Sequence, residues 1–200
     1  MNFLGHLYFS GDRKHAMLAN LYGDFVKGKK YESFPAKLKE GVLLHRRIDH
    51  FIDSHREVKV LSRSFYEQLP KVSNIAIDLF FDHLLAKRWH IYHSQPLHNY
   101  IDGFLTFALD SVNNNSYDDQ YFKFDPNFSY LVHRLHRDKW IQNYSTLEGL
   151  AFAAKGLSSR ISFTNQLHLA PELFVKNEAI ISKTFEIYMQ DALSQFNPPI

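Results

Sequence analysis

The 200-residue chain contains no cysteine, which excludes disulfide staples, thiolate zinc sites and cysteine nucleophiles and fits a reducing compartment such as the cytoplasm. No apolar run approaches the roughly 20 residues that cross a bilayer, so no membrane association is expected. The opening segment Met1 to Ser10 lacks a basic leader and is interrupted by His6, which speaks against a secretory signal. Charge of one sign is missing too. The 23 Lys+Arg and 21 Asp+Glu residues leave a net charge of +2, too little to argue for a nucleic-acid partner. Neither a glycine-rich phosphate loop nor a GxSxG elbow occurs. Strand signals are sparse, whereas apolar residues recur at three and four positions throughout.

What is abundant is aromatic and imidazole side chains. With 45% hydrophobic residues, 18 Phe and 11 Tyr, the composition is that of a globular chain, and a domain of this length can bury about 70% of its unfolded surface. The expected fold is all-α, one compact multi-helix domain over residues 1–200. Met17, Leu18, Leu21 and Phe25 form an apolar stripe ended by Gly28. Pro35 opens a helix reaching about Ile52, with a turn at Asp53 to His55. Val58, Leu61, Phe65 and Leu69 mark a third helix stopped by Pro70. Ser73 reads as the N-cap of a fourth that extends to about His93. Pro96, the Asp125–Pro126 pair and Pro171 each begin a later helix, and Asn113 to Ser116 is the clearest loop. Ser158, Ser159 and Arg160 begin or cap a helix as readily as they bind a ligand.

The 12 His raise the prospect of a metal or acid–base site. His45 and Asp49 stand one helical turn apart on one face, and Asp78 and Asp82 repeat that interval beside His83. A carboxylate inside the apolar run Ile75 to Leu85 needs a cation, an arginine or a wet cleft. His6 and Asp24 likewise interrupt apolar segments. Any one of these features has an ordinary structural reading: His45 with Asp49 as an intrahelical pair, the aspartates as ion pairs with Arg47 or Arg88, His6 as a satisfied core histidine. Their coincidence in four segments favours metal. Mixed imidazole and carboxylate ligands suit manganese, iron or zinc better than calcium, and an open position on such a metal can acidify water. Arg46 and Arg47, next to His45, are candidates to hold a phosphate oxygen. The basic stretch Lys27, Lys29 and Lys30 reads either as a solvated face or as a docking surface for an acidic partner. His133, Arg134, His136 and Arg137 divide in the same way between a phosphate-binding rim and a polar helix face.

The segments NFLGHLYFS, ANLYGDFVKG, GVLLHRRIDHFIDSH and DLFFDHLLAKRW resemble, in order and spacing, the signatures of bacterial acyl carrier protein phosphodiesterases. The likeness is firm over about the first ninety residues and fainter through HRDKWIQNYSTLEGLAFAAKGLSSRI. It implies a helical fold related to HD-type metal phosphohydrolases. The implied reaction removes 4′-phosphopantetheine from holo-acyl carrier protein, with manganese as the usual metal and magnesium or iron as alternatives. Matching the family's His and Asp signatures are His6, Asp24, His45, Asp49, Asp78, Asp82 and His83, with Asp78 either a ligand or the neighbour that orients one. The expected catalytic set is Asp24, His45 and Asp49, which match the family's signatures, with Arg46 or Arg47 added for their place beside His45. Lys27, Lys29 and Lys30 would meet the acidic carrier protein. Gly5 and Gly23 depart from the family, which often has alanine there. Two other readings stay open: a phosphohydrolase for a nucleotide or other small phosphodiester, and a helical module that binds carrier proteins without catalysis. Oligomeric state is not legible.

Overall fold

The computed structural model describes residues 1–198. Among them the protein is all-α, apart from one two-residue hairpin. The chain runs α1 (Phe3–Phe9), α2 (Lys14–Tyr22), a 3-10 turn (Gly23–Phe25), α3 (Ala36–Ser54), α4 (Arg56–Ser64), α5 (Ser73–Lys87), a short α6 (Trp89–Tyr92) and α7 (Leu97–Asn113). The hairpin β1 (Ser116–Tyr117) and β2 (Gln120–Tyr121) follows, then α8 (Pro126–Asp138), a 3-10 segment (Trp140–Ser145), α9 (Leu147–Ser158) and α10 (Ala170–Phe196).

Helix α5 is the centre of the molecule. Ile77, Leu79, Phe80, Phe81, Leu84 and Leu85 are all buried, so it is apolar on every side rather than along one stripe, as a helix enclosed by others must be. It packs on α1, α4, α9 and α10. Phe81 lies edge-on to Phe185 of α10 with ring centroids 5.4 Å apart, and Phe65 edge-on to Phe80 at 5.8 Å. A second layer is the long, close crossing of α2 on α3.

Several boundaries follow the sequence chemistry. The Asp125 carboxylate accepts the Asn127 N–H at 2.8 Å while Pro126 occupies the first turn, the expected cap and starter. Pro171 likewise sits in the first turn of α10. Other boundaries differ. Helix α3 runs through Asp53 to Ser54 and ends where His55 turns extended. The stripe ending at Phe25 is α2 plus a tighter 3-10 turn, which aims Asp24 outward. Ser73 is the first residue of α5 rather than its cap, and the expected long helix breaks at Arg88. Ser158 is the last residue of α9 and Ser159 its C-terminal cap, so these residues close a helix and do not begin one. The loop at Asn113 closes into the hairpin through Asp118 and Asp119, both at positive φ, a conformation that short polar side chains tolerate.

The α2–α3 crossing depends on Gly41. A Cβ there would run into the side chain and backbone of Ala19, and two packed helices cannot part locally without strain. Gly41→Val is therefore expected to lower Tm by roughly 3–10 °C, the effect of about 1–3 kcal/mol of overpacking in a chain this long. Thermal denaturation followed by circular dichroism checks this, and an unchanged Tm would mean that the crossing is loose.

Candidate metal centre

Three segments bring the central group together. His6 projects from α1, His45 and Asp49 from successive turns of α3, and Asp24 from the 3-10 turn after α2. His6 Nε2 lies 3.1 Å from Asp49 Oδ1. His45 Nε2 lies 3.1 Å from Asp49 Oδ2 and 3.2 Å from Asp24 Oδ1. The two imidazoles stack with centroids 4.1 Å apart. Both rings are buried, whereas the side chains of Asp24 and Asp49 are 60% and 44% exposed, so the cluster opens to solvent on its carboxylate side. Potential ligand atoms of His6, His45 and Asp49 all lie within 4.8 Å of one another. Gly23 permits the approach, since a Cβ at that position would collide with the His45 ring.

The hydrogen bonds behind His6 decide what the cluster lacks. Asn20, fully buried, donates from Nδ2 to the His6 carbonyl at 3.1 Å and to Ser10 Oγ at 2.9 Å. Its Oδ1 is then an acceptor, 2.9 Å from His6 Nδ1, which assigns the Nδ1–H tautomer to His6. Burial holds the His6 pKa below its ordinary value even with Asp49 beside it. A neutral His6 in this tautomer points the Nε2 lone pair at a carboxylate oxygen 3.1 Å away. Two acceptors face each other there, and a cation between them removes the conflict. The residues present therefore fit a divalent metal. Asn20 was not singled out from the sequence, although a buried amide among Leu18, Ala19, Leu21 and Tyr22, four positions before Asp24, is the signal that marks it.

The remaining sequence candidates lie elsewhere. Asp82 does not join the cluster: its carboxylate accepts the backbone N–H groups of Leu4 at 2.8 Å and Gly5 at 3.1 Å, capping the free donors at the start of α1. Burial pushes its pKa up to about 7, offset by the Met1 amino group and those two N–H donors. Asp78 Oδ1 lies 2.9 Å from the Met1 amino nitrogen. His83 Nδ1 donates to the Tyr144 carbonyl at 2.7 Å, and burial lowers its pKa from the ordinary histidine value. The α5 residues thus anchor α1 and the Trp140–Ser145 segment. A four-residue spacing reads alike for a ligand pair and for a remote cap. Arg46 donates to the carbonyls of Val26 at 2.9 Å and Gly28 at 2.6 Å and lies over the Tyr31 ring, so it fastens the loop that follows Asp24 instead of reaching toward the cluster. Arg47, two residues beyond His45, projects from another side of α3 and lines a broad cleft of about 1070 Å³ with Arg13 and His50. Lys27, Lys29 and Lys30 are exposed on the Arg46-fastened loop.

The electrostatics set a pH window. Burial disfavours charge on His45, but its contacts with Asp24 and Asp49 outweigh that and raise its pKa to about 9, while Asp49 is held well below the carboxylate range by the two imidazoles despite its own desolvation. A folded-state pKa above the ordinary 6.5 means that the His45 proton contributes stability fully present below that value and lost as pH rises through about 9. A metal must displace the same proton. Manganese is therefore expected to bind more tightly as pH rises from 6.5 toward 9, with proton uptake by buffer in calorimetry. A Kd independent of pH over that window would contradict the assignment of His45.

Comparison with known proteins agrees with this arrangement of motifs. The family model described as acyl carrier protein phosphodiesterase matches residues 1–192. The acyl carrier protein phosphodiesterase of Pectobacterium atrosepticum is 38% identical over 104 residues, 52% of this chain and 54% of the relative. Those of Klebsiella pneumoniae strain 342 and Escherichia coli K12 are each 30% identical over 161 residues, 80% of this chain and 79% of theirs. No solved structure matches the chain, so the likeness to HD-type phosphohydrolases rests on the sequence motifs alone. With residues 1–192 matched by the family model, and His6, Asp24, His45 and Asp49 of those motifs converging in space, the chain belongs to the acyl carrier protein phosphodiesterase family.

Proposed function

We propose that this protein hydrolyses the phosphodiester between 4′-phosphopantetheine and a serine of acyl carrier protein, using a divalent metal held by His6, His45 and Asp49 with Asp24 beside them. The products are apo-carrier protein and 4′-phosphopantetheine. The observation that carries the metal is the His6 lone pair set against Asp49 at 3.1 Å with Asn20 fixing the tautomer. The substrate rests on the family and on the printed names of its members. Manganese is the metal expected from the family, with magnesium or iron as alternatives, and the cytoplasm is the matching compartment. No described helix is long and apolar enough to cross a membrane.

A bound divalent ion would supply Lewis acidity, lowering the pKa of water and offsetting charge on the phosphoryl oxygens. The chain's own residues supply the rest. Asn20 and the stacked His45 ring hold His6 in one orientation, so little reorganisation is needed when the substrate arrives. Asp24 is the most exposed carboxylate of the group and is held ionised by His45 despite its own desolvation. We assign it the role of orienting the attacking water, a reading its exposure and its contact with His45 support. Arg46 fixes the Lys27–Lys30 loop beside Asp24, and these exposed cations form a rim suited to an acidic protein, with association weakened by salt.

Intact-mass spectrometry of holo-acyl carrier protein incubated with the protein tests this reading. Loss of the phosphopantetheine mass is expected with manganese, and neither with chelator nor with Asp49→Ala. Glutamates at Lys27, Lys29 and Lys30 are expected to raise KM more than they lower kcat. Cleavage that survives chelation would overturn the metal. Metal binding without any cleavage would transfer the chemistry to a nucleotide or another small phosphodiester.

A further inference from the structure

A slot of about 380 Å³ lies between α8 and α9, floored by the start of α1. Two of its walls belong to segments that hold the candidate metal ligands. Phe25 follows Asp24 in the same 3-10 turn, and Asn2 and Phe3 precede His6 at the head of α1. The opposite walls are aromatic and partly uncovered. Tyr130 and Phe152 are 64% and 52% exposed, although burying rings of that size is among the larger gains open to a folding chain. Trp140 lies beside Phe152, the rings tilted at 44° with centroids 6.1 Å apart, and the Arg134 guanidinium lies over the Trp140 ring, held there by Asp138. Polar groups punctuate the apolar lining: the amides of Asn2 and Asn127, and Arg160 at the rim. Ligand pockets combine an apolar, aromatic lining with a few placed polar groups, and this volume lies at the small end of their usual range of about 300–1,000 Å³.

From this we infer that the slot receives the pantetheine arm of the substrate. The inference rests on the carrier-protein reading above and extends it to the part of the substrate beyond the phosphate. Pantetheine is a narrow, linear chain in which amides alternate with methylene and gem-dimethyl groups. Its amides suit Asn2 and Asn127, and its apolar stretches suit the rings of Phe25, Tyr130 and Trp140. A slot of this size takes the bare arm or a short acyl thioester and leaves a long acyl chain outside. The proposed metal site uses none of these residues, so they can be altered separately.

Gly156 offers the cleanest alteration. It lines the slot, and a Cβ there meets nothing within 4 Å, so Gly156→Leu projects into empty space while improving a helical position. Free pantetheine, which has no phosphate, is titrated while Trp140 emission is followed, with Trp140→Phe identifying the signal. Wild type is expected to respond. Gly156→Leu is expected to lose the response and to raise KM for holo-carrier protein by about tenfold, with manganese affinity and Tm unchanged. Phe152→Ala, which removes an exposed wall, is expected to raise KM in the same direction should the leucine disturb the helix. An absent pantetheine response in wild type, or a wild-type KM in both variants, overturns the slot even if cleavage proceeds. A pantetheine response without cleavage of holo-carrier protein upholds the slot and strikes the reaction instead.

Discussion

Two stacked, buried imidazoles, His6 and His45, held against the Asp49 carboxylate are the constraint on which the rest of this structure depends. Buried polar groups are stable only when their donors and acceptors match, and here His6 has its one proton committed to Asn20. The surrounding fold serves that arrangement. Asp82 ties the first turn of α1 to the central helix, which sets the depth of His6. Gly41 lets α3 approach α2, and Gly23 lets His45 approach the turn that carries Asp24. Each contact is ordinary by itself. Together they bring side chains from three distant segments to within hydrogen-bond range of one another.

Much of this was legible in the sequence, and the part that was not has a physical reason. Helical periodicity reports which residues are buried, so the all-α class and the starts at Pro126 and Pro171 could be read directly. The pairing of His45 with Asp49 follows from helix geometry alone. What periodicity cannot report is the neighbour across the gap. Asp82 looks like a ligand because it is a carboxylate in an apolar run, yet two backbone N–H groups satisfy it as well as a metal would. Arg46 looks like a phosphate clamp because it adjoins His45, yet the carbonyls of Val26 and Gly28 are nearer. Asn20 went unmarked because an amide carries no charge to attract notice.

The surface divides by chemistry as the core does by packing. The lysine loop beside Asp24 is cationic and exposed, suited to a diffusing acidic protein. The slot between α8 and α9 is aromatic and narrow, suited to a flexible arm. The proposed reaction, which must recognise both a carrier protein and its prosthetic group, calls for both kinds of surface. On the proposed reading, Tyr130, Trp140 and Phe152 of the fainter second half of the chain select the substrate, while His6, Asp24, His45 and Asp49 of the first half hold the chemistry.

The central claim is that His6, His45 and Asp49 hold one divalent ion together. Anomalous diffraction from crystals grown with manganese, recorded across the manganese absorption edge, tests it most directly. A peak within bonding distance of His6 Nε2, His45 Nε2 and an Asp49 oxygen, lost in crystals of Asp49→Ala, is the predicted result. A peak instead beside Asp78, Asp82 or His83, or no peak at full manganese occupancy in solution, would contradict it.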